Sequence, residues 1–205
     1  MLQAYPDINR EQFMAAIQPY FTETEMKDIE AAYFFCKYAH RGQRRDDGRR
    51  YFDHPRAVAW ILVDELCIDD VAVVIIALLH DLQEDSFIMT EERIEINFGR
   101  VVTLGVRNMS KNTTAKDNYW PRFMTFAQWR EVICKLADRL HNLRTLGVCT
   151  IEKQRRKIAE TKSVIYPMFE RAKLLSPEVY LPSVNRLCTM IEQEVELVET
   201  RLASE

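Results

Sequence analysis

An all-α fold is what this sequence predicts, on three observations. Glycine is scarce, 5 in 205 residues, where average usage of roughly 7% would give about 14. That deficit argues against a β-rich, turn-dense chain. Apolar residues recur with helical periodicity through most of the sequence, and helix-start signals punctuate it. At about 150 residues per domain, the length predicts one compact domain over 1–205.

The elements come in this order. Thr22-Glu23-Thr24-Glu25 is a capping box that opens a helix running to about His40. His54–Leu66 and Asp69–Gln83 read as two more helices, the second apolar on nearly every side, as a central buried helix must be. Thr90 caps a short helix ending near Gly99, and another continues to about Lys111. Trp129–Leu146 and Thr150–Lys173 are long helical stretches parted by Gly147. Ser176-Pro177 reads as an N-cap with proline at the first helical position. Apolar residues at 184, 187, 188, 191, 195, 198 and 202 then make a one-sided stripe. Its expected role is to pack on the body, a partner-binding helix being the alternative. Arg41–Asp53 and Asn112–Arg122 read as loops, where function often resides.

Composition excludes several classes. Hydrophobic content of 47% is that of a globular chain. Neither GxGxxG nor GxxxxGK[ST] occurs, which sets aside Rossmann and P-loop chemistry. The longest strongly apolar run, Val71–Leu79, is far short of the ~20 residues of a membrane span. Met1–Phe13 shows no basic segment followed by an apolar one, so no signal peptide is expected. Five cysteines without CxxC spacing read as reduced thiols of a cytoplasmic protein. A net charge of −3 argues against general nucleic-acid binding.

Three groups of residues suggest chemistry. His80 and Asp81 end the apolar helix and are followed by Glu84 and Asp85. An imidazole and three carboxylates there are costly to bury unless something compensates them. A divalent cation would do so, held by His80 and Asp81, with Glu84 and Asp85 left to support those ligands or for the chemistry. An exposed acidic helix end is the alternative. Asp138 is a lone carboxylate on an apolar helical face that it shares with Asn142 and Thr145. Either it is a ligand, or it pairs with Arg139 or Arg144. Five arginines lie between 41 and 50, just before His54. Guanidinium groups suit phosphate and stack on bases; the alternative is a solvated loop.

These segments, taken in order, resemble the RelA/SpoT-type alarmone hydrolase domains. The first is Ala39-His40-Arg41-Gly42-Gln43-Arg44-Arg45 with Gly48, Tyr51 and His54-Pro55; the second is Ala77-Leu78-Leu79-His80-Asp81 with Glu84-Asp85. The third, Lys135 to Leu146, matches almost residue for residue, and Glu152–Thr161 with Ile165-Tyr166-Pro167 looks like the segment next to it in that family. The similarity spans about residues 30–170. It implies a compact helical HD-type metallohydrolase with His54, His80, Asp81 and Asp138 on one metal, usually Mn²⁺, Fe²⁺ and Zn²⁺ not being excluded by those donors. Glu84 and Asp85 would orient and deprotonate the attacking water. Arg45 aligns with an arginine that stacks on guanine, Asn142 and Thr145 with the nucleotide pocket, and Arg44 joins them as a substrate contact. His40, Tyr51, Arg139 and His141 match family positions and read as structural.

The implied reaction removes the 3′-pyrophosphate of guanosine 3′,5′-bis(pyrophosphate) or its pentaphosphate analogue. The partner is thus a guanine nucleotide, with no nucleic acid and no membrane, and a homo-oligomer is compatible. About 35 residues lie beyond position 170, too few for the synthetase domain of long relatives, so a stand-alone hydrolase is expected, with the 176–204 region packed on it. Asp46-Asp47 stand where many relatives carry a lysine and a serine. That departure keeps two alternatives open: another 3′- or 2′-phosphorylated purine nucleotide, such as NADPH or an adenosine alarmone, and a non-catalytic nucleotide sensor.

Overall fold

The computed structural model describes residues 9–45, 48–82, 90–111 and 118–204. It is all-α, and among the described residues the only β feature is an isolated antiparallel bridge between Arg44 and Arg50. The α-helices are α1 (Arg10–Ile17), α2 (Glu23–Ala39), α3 (Asp53–Trp60), α4 (Val71–Leu79), α5 (Glu91–Met109), α6 (Tyr119–Phe126), α7 (Trp129–Arg144), α8 (Ile151–Glu160), α9 (Tyr166–Leu175) and α10 (Leu181–Ser204).

Local chemistry accounts for most boundaries. Thr22 and Glu25 form the expected reciprocal capping box at α2. Asp70 and Thr90 accept from the amides of Val73 and Arg93 to start α4 and α5. Gly99 breaks the helical path of α5 at φ 78°, a left-handed region open to glycine, so the expected pair of helices meets at a kink.

Two predicted helices carry a feature that periodicity does not reveal. α3 runs into a π-helical turn at Ile61–Glu65, and α8 joins α9 through another at Thr161–Ile165. Each inserts a residue into the helical ladder and rotates the chain beyond it. The first leaves Glu65 facing Arg144, which donates to it with both terminal nitrogens at 2.8 and 2.9 Å.

Three readings need correction. α1, capped by Asn9, is an added helix. α6 occupies the end of the stretch read as the loop 112–122, because Tyr119 and Phe123 bury their rings there. Ser176 is not the N-cap of the last helix: it ends α9, and Pro177 is extended at ψ 145°. A single 3₁₀ turn, Glu178–Tyr180, intervenes before α10.

α4 is the centre of the molecule. Val73 to Leu79 are all buried, and α2, α3, α5 and α7 pack around the helix. Burial of side chains of this size contributes ~1.5–3 kcal/mol each. α10 lays its stripe of Val184, Leu187, Cys188, Ile191, Val195 and Val198 into the core, mainly against α7. The packing aims the ends of α3 and α4 and the middle of α7 at one point, which is where the polar residues converge.

α5 approaches α4 at Gly105, where a Cβ atom would fall 2.4 Å from Ile76 Cδ1. Gly105→Ala gains up to ~1 kcal/mol of helix propensity, while overpacking typically costs ~1–3 kcal/mol. The expected net loss is about 1 kcal/mol by chemical denaturation. Adding Ile76→Val, which deletes the clashing methyl, should recover part of it in a double-mutant cycle.

Candidate metal centre

His54 lies in the first turn of α3, His80 caps the C-terminus of α4, Asp81 is the next residue, and Asp138 comes from the middle of α7. Donor atoms of His54, His80 and Asp81 lie within 4.8 Å of one another. Asp138 Oδ1 is 3.2 Å from His54 Nε2 and 4.0 Å from His80 Nε2. Asp81 reaches His80 Nε2 through Oδ1 at 3.2 Å and His54 Nε2 through Oδ2 at 3.6 Å.

Two imidazoles and two carboxylates around one point are a donor set for a divalent cation. His80 Nδ1 lies 2.8 Å from the Ala77 carbonyl, an acceptor that obliges this nitrogen to carry the proton. In the neutral ring, the form a cation would hold, its Nε2 is then a lone pair aimed at the cluster. This buried atom, 3.2 Å from Asp81 Oδ1, makes no well-formed hydrogen bond among the described residues. A buried orphan of this kind calls for an explanation, and a cation at the cluster supplies one. The residues therefore fit a metal.

Electrostatics set the four groups apart. Burial, with the charge of Arg45, lowers His54 to about 4. His80 is buried too, but Asp81 and Asp138 outweigh that and raise it to about 8. For Asp138 burial is overcome by Lys135 and both imidazoles, which hold the carboxyl well below its usual range; His80 and His54 do the same for Asp81. The buried Lys135 donates to Asp138 Oδ2 at 3.1 Å and lies 5.8 Å from the Tyr119 ring centre. Asn142 donates to Asp138 Oδ1 at 2.6 Å and the Tyr51 hydroxyl to Asp81 Oδ2 at 3.0 Å. Asp138 pairs with neither neighbouring arginine: Arg139 binds Glu160, and Arg144 binds Glu65 and Glu194. The structural ion pair weighed as an alternative is thus made by other partners.

The centre opens into a cavity of about 280 Å³ whose wall carries Arg44, Arg45, Lys111 and Lys135. A second cavity, of about 170 Å³, adjoins it. Arg45 and Asn142 line both, joined by a 2.8 Å hydrogen bond from the guanidinium to Asn142 Oδ1. Thr145 lines the second, over a floor that includes Leu143 and Leu146. The structure thus brings together His54, His80, Asp81, Asp138, Arg44, Arg45, Asn142 and Thr145. Glu84 and Asp85 lie outside the described residues, as do Asp46 and Asp47. Sequence reasoning assigned no role to Lys135 and read Tyr51 as structural. Lys135 was findable from its i, i+3 spacing to Asp138; Tyr51 reaches Asp81 only through the fold.

A family model described as "HD domain" matches residues 32–174. The chain belongs to the HD-domain family. Within it, the chain is 36% identical over 165 residues to the bifunctional (p)ppGpp synthase/hydrolase SpoT of Escherichia coli K12, covering 76% of this chain and 23% of that protein. It is 39% identical over 150 residues to a probable guanosine-3′,5′-bis(diphosphate) 3′-pyrophosphohydrolase of Synechocystis, covering 68% of this chain and 19% of that one. The chain therefore spans about a quarter or less of the length of these curated relatives. A solved structure described as "A metazoan ortholog of SpoT hydrolyzes ppGpp and plays a role in starvation responses" superposes with TM-score 0.62 at 28% identity, covering 78% of this chain and 94% of that one. An HD domain implies a divalent cation, which agrees with the donor set. No described helix is long and apolar enough to cross a membrane.

The wall of the second cavity is braced by Glu160, which takes Arg139 at 3.2 Å and Lys157 at 2.8 Å. Burial opposes ionisation of Glu160, but these two cations win and lower it from 4.5 to about 2. A depressed carboxyl stabilises the fold above its unfolded value and loses that contribution as pH falls toward the native one. Glu160→Gln is expected to be less stable than wild type at pH 7. The gap in urea midpoints should hold down to about pH 4.5 and narrow below it.

Proposed function

We propose that this chain removes the 3′-pyrophosphate of guanosine 3′,5′-bis(pyrophosphate) or its pentaphosphate analogue, giving GDP or GTP and pyrophosphate. In this reading His54, His80, Asp81 and Asp138 hold one Mn²⁺. The observation that carries it is the juxtaposition of a two-imidazole, two-carboxylate centre with a cation-lined cavity and an adjoining pocket, the two joined by Arg45. The activities named for the SpoT-type relatives and for the metazoan protein support it.

A divalent cation at the centre supplies Lewis acidity and lowers the pKa of a water molecule. The chain's own residues do the rest. The base lies in the second cavity against the face of Arg45, beside Asn142 and Thr145. The 3′-pyrophosphate reaches into the first cavity, where Arg44, Lys111 and Lys135 offset its charge. Glu84 takes the proton of the attacking water while Asp85 orients it. Water oxygen bonds to the phosphorus next to the ribose, and the 3′-oxygen leaves and is protonated. All five cysteines are free thiols, in keeping with the cytoplasmic location we propose. Asp46-Asp47 favour a second reading, in which the same centre acts on a differently phosphorylated purine nucleotide.

The test combines metal analysis with turnover on a panel of 3′- and 2′-phosphorylated nucleotides separated by ion exchange. His80→Ala and Asp138→Ala should lose both bound Mn²⁺ and activity; full occupancy in either would remove the site. Glu84→Gln should keep its metal and lose ~10²–10⁴-fold in rate. Wild-type turnover in that variant contradicts the assigned base.

A further inference from the structure

We infer that His141 is a positioning residue: its Nδ1 must accept a hydrogen bond from His54 Nδ1–H before His54 can serve the metal centre. The inference rests on the metal ligands proposed above and adds a condition to one of them.

The Nδ1 atoms of His54 and His141 lie 2.7 Å apart, with the rings tilted at 45° and both side chains buried. Two lone pairs cannot face each other at that distance, so one ring carries its proton on Nδ1 and the other accepts. If His141 donates, a neutral His54 carries its proton on Nε2. That atom faces Asp138 Oδ1 at 3.2 Å and Asp81 Oδ2 at 3.6 Å, so it donates to a carboxylate and offers a cation nothing. If His54 donates from Nδ1, its Nε2 becomes a lone pair directed into the centre, and His141 carries its own proton on Nε2. The second state differs from the first by one proton relocated within each ring, with no change in charge.

His80 shows what a fixed ligand looks like. Its Nδ1 faces the Ala77 carbonyl, which only accepts, so its tautomer is set by the backbone. His54 Nδ1 faces instead a second imidazole nitrogen, a group that is a donor in one tautomer and an acceptor in the other. The ligand form of His80 is thus set by a backbone carbonyl and that of His54 by the acceptor state of His141. Partners of this kind orient a ligand ring and raise its basicity, and removing one typically weakens metal binding ~10–100-fold.

The test measures Mn²⁺ dissociation constants by competition on purified wild type, His141→Asn and His141→Leu, with melting of each protein before and after metal addition. Asn places an amide oxygen near the position of Nδ1 and can accept; Leu cannot. His141→Asn should bind within about threefold of wild type and His141→Leu ~10–100-fold more weakly. Equal affinity in wild type and His141→Leu overturns the inference while leaving the centre intact. So does a loss in His141→Asn as large as in His141→Leu. A wild-type chain that binds no Mn²⁺ overturns the centre and the inference together. Should His141→Leu fail to fold, imidazole ¹⁵N spectra of Zn²⁺-loaded wild type decide: a proton on His54 Nδ1 supports the inference, and one on Nε2 overturns it.

Discussion

Everything in this molecule is arranged around the burial of two carboxylates and two imidazoles at the end of an apolar helix. An isolated buried charge costs several kcal/mol even after relaxation. The fold answers with a set of partners drawn from distant parts of the chain. Lys135 neutralises Asp138, the Tyr51 hydroxyl satisfies one oxygen of Asp81, and Asn142 satisfies one of Asp138. A divalent cation held by these donors would complete the balance. The same charges that make the centre costly without partners are the donors that a divalent cation would use.

Rigidity comes from the same constraint. A metal centre needs donors placed to a few tenths of an ångström, and α4 provides that by being enclosed on every side. Its length brings His80 and Asp81 to the helix end, while α7 brings Asp138 alongside. The π-helical turns serve the flanks. One lets Glu65 hold Arg144, and the other begins at Thr161, to which Arg139 donates. With both arginines occupied, Asp138 is left to the centre.

Arg45 couples the two cavities, and its path runs inward: guanidinium to Asn142, Asn142 to Asp138, Asp138 to His54. A nucleotide lying across both cavities would meet the first link of that chain directly. In the function proposed above, contact with the base and the geometry of the candidate ligands would be tied through these hydrogen bonds.

Much of this is legible in the sequence, for physical reasons. Capping boxes, the scarcity of glycine, the apolar run of α4 and the left-handed demand at Gly99 are local properties, and local sequence decides them. The motifs containing His54, His80, Asp81 and Asp138 are likewise visible one by one. What the sequence could not decide is who faces whom. α1 and α6 are short, and what holds α6 is the burial of Tyr119 and Phe123, a nonlocal effect. The π turns alter the ladder by one residue with no compositional signature. Tyr51 and His141 read as structural because nothing near them in the chain shows a partner; Asp81 is 30 residues from the one and His54 is 87 from the other. Hydrogen bonds across such separations exist only once the helices have packed, so the sequence determined the long helices and the donor types, and the tertiary structure decided the short helices and the pairings.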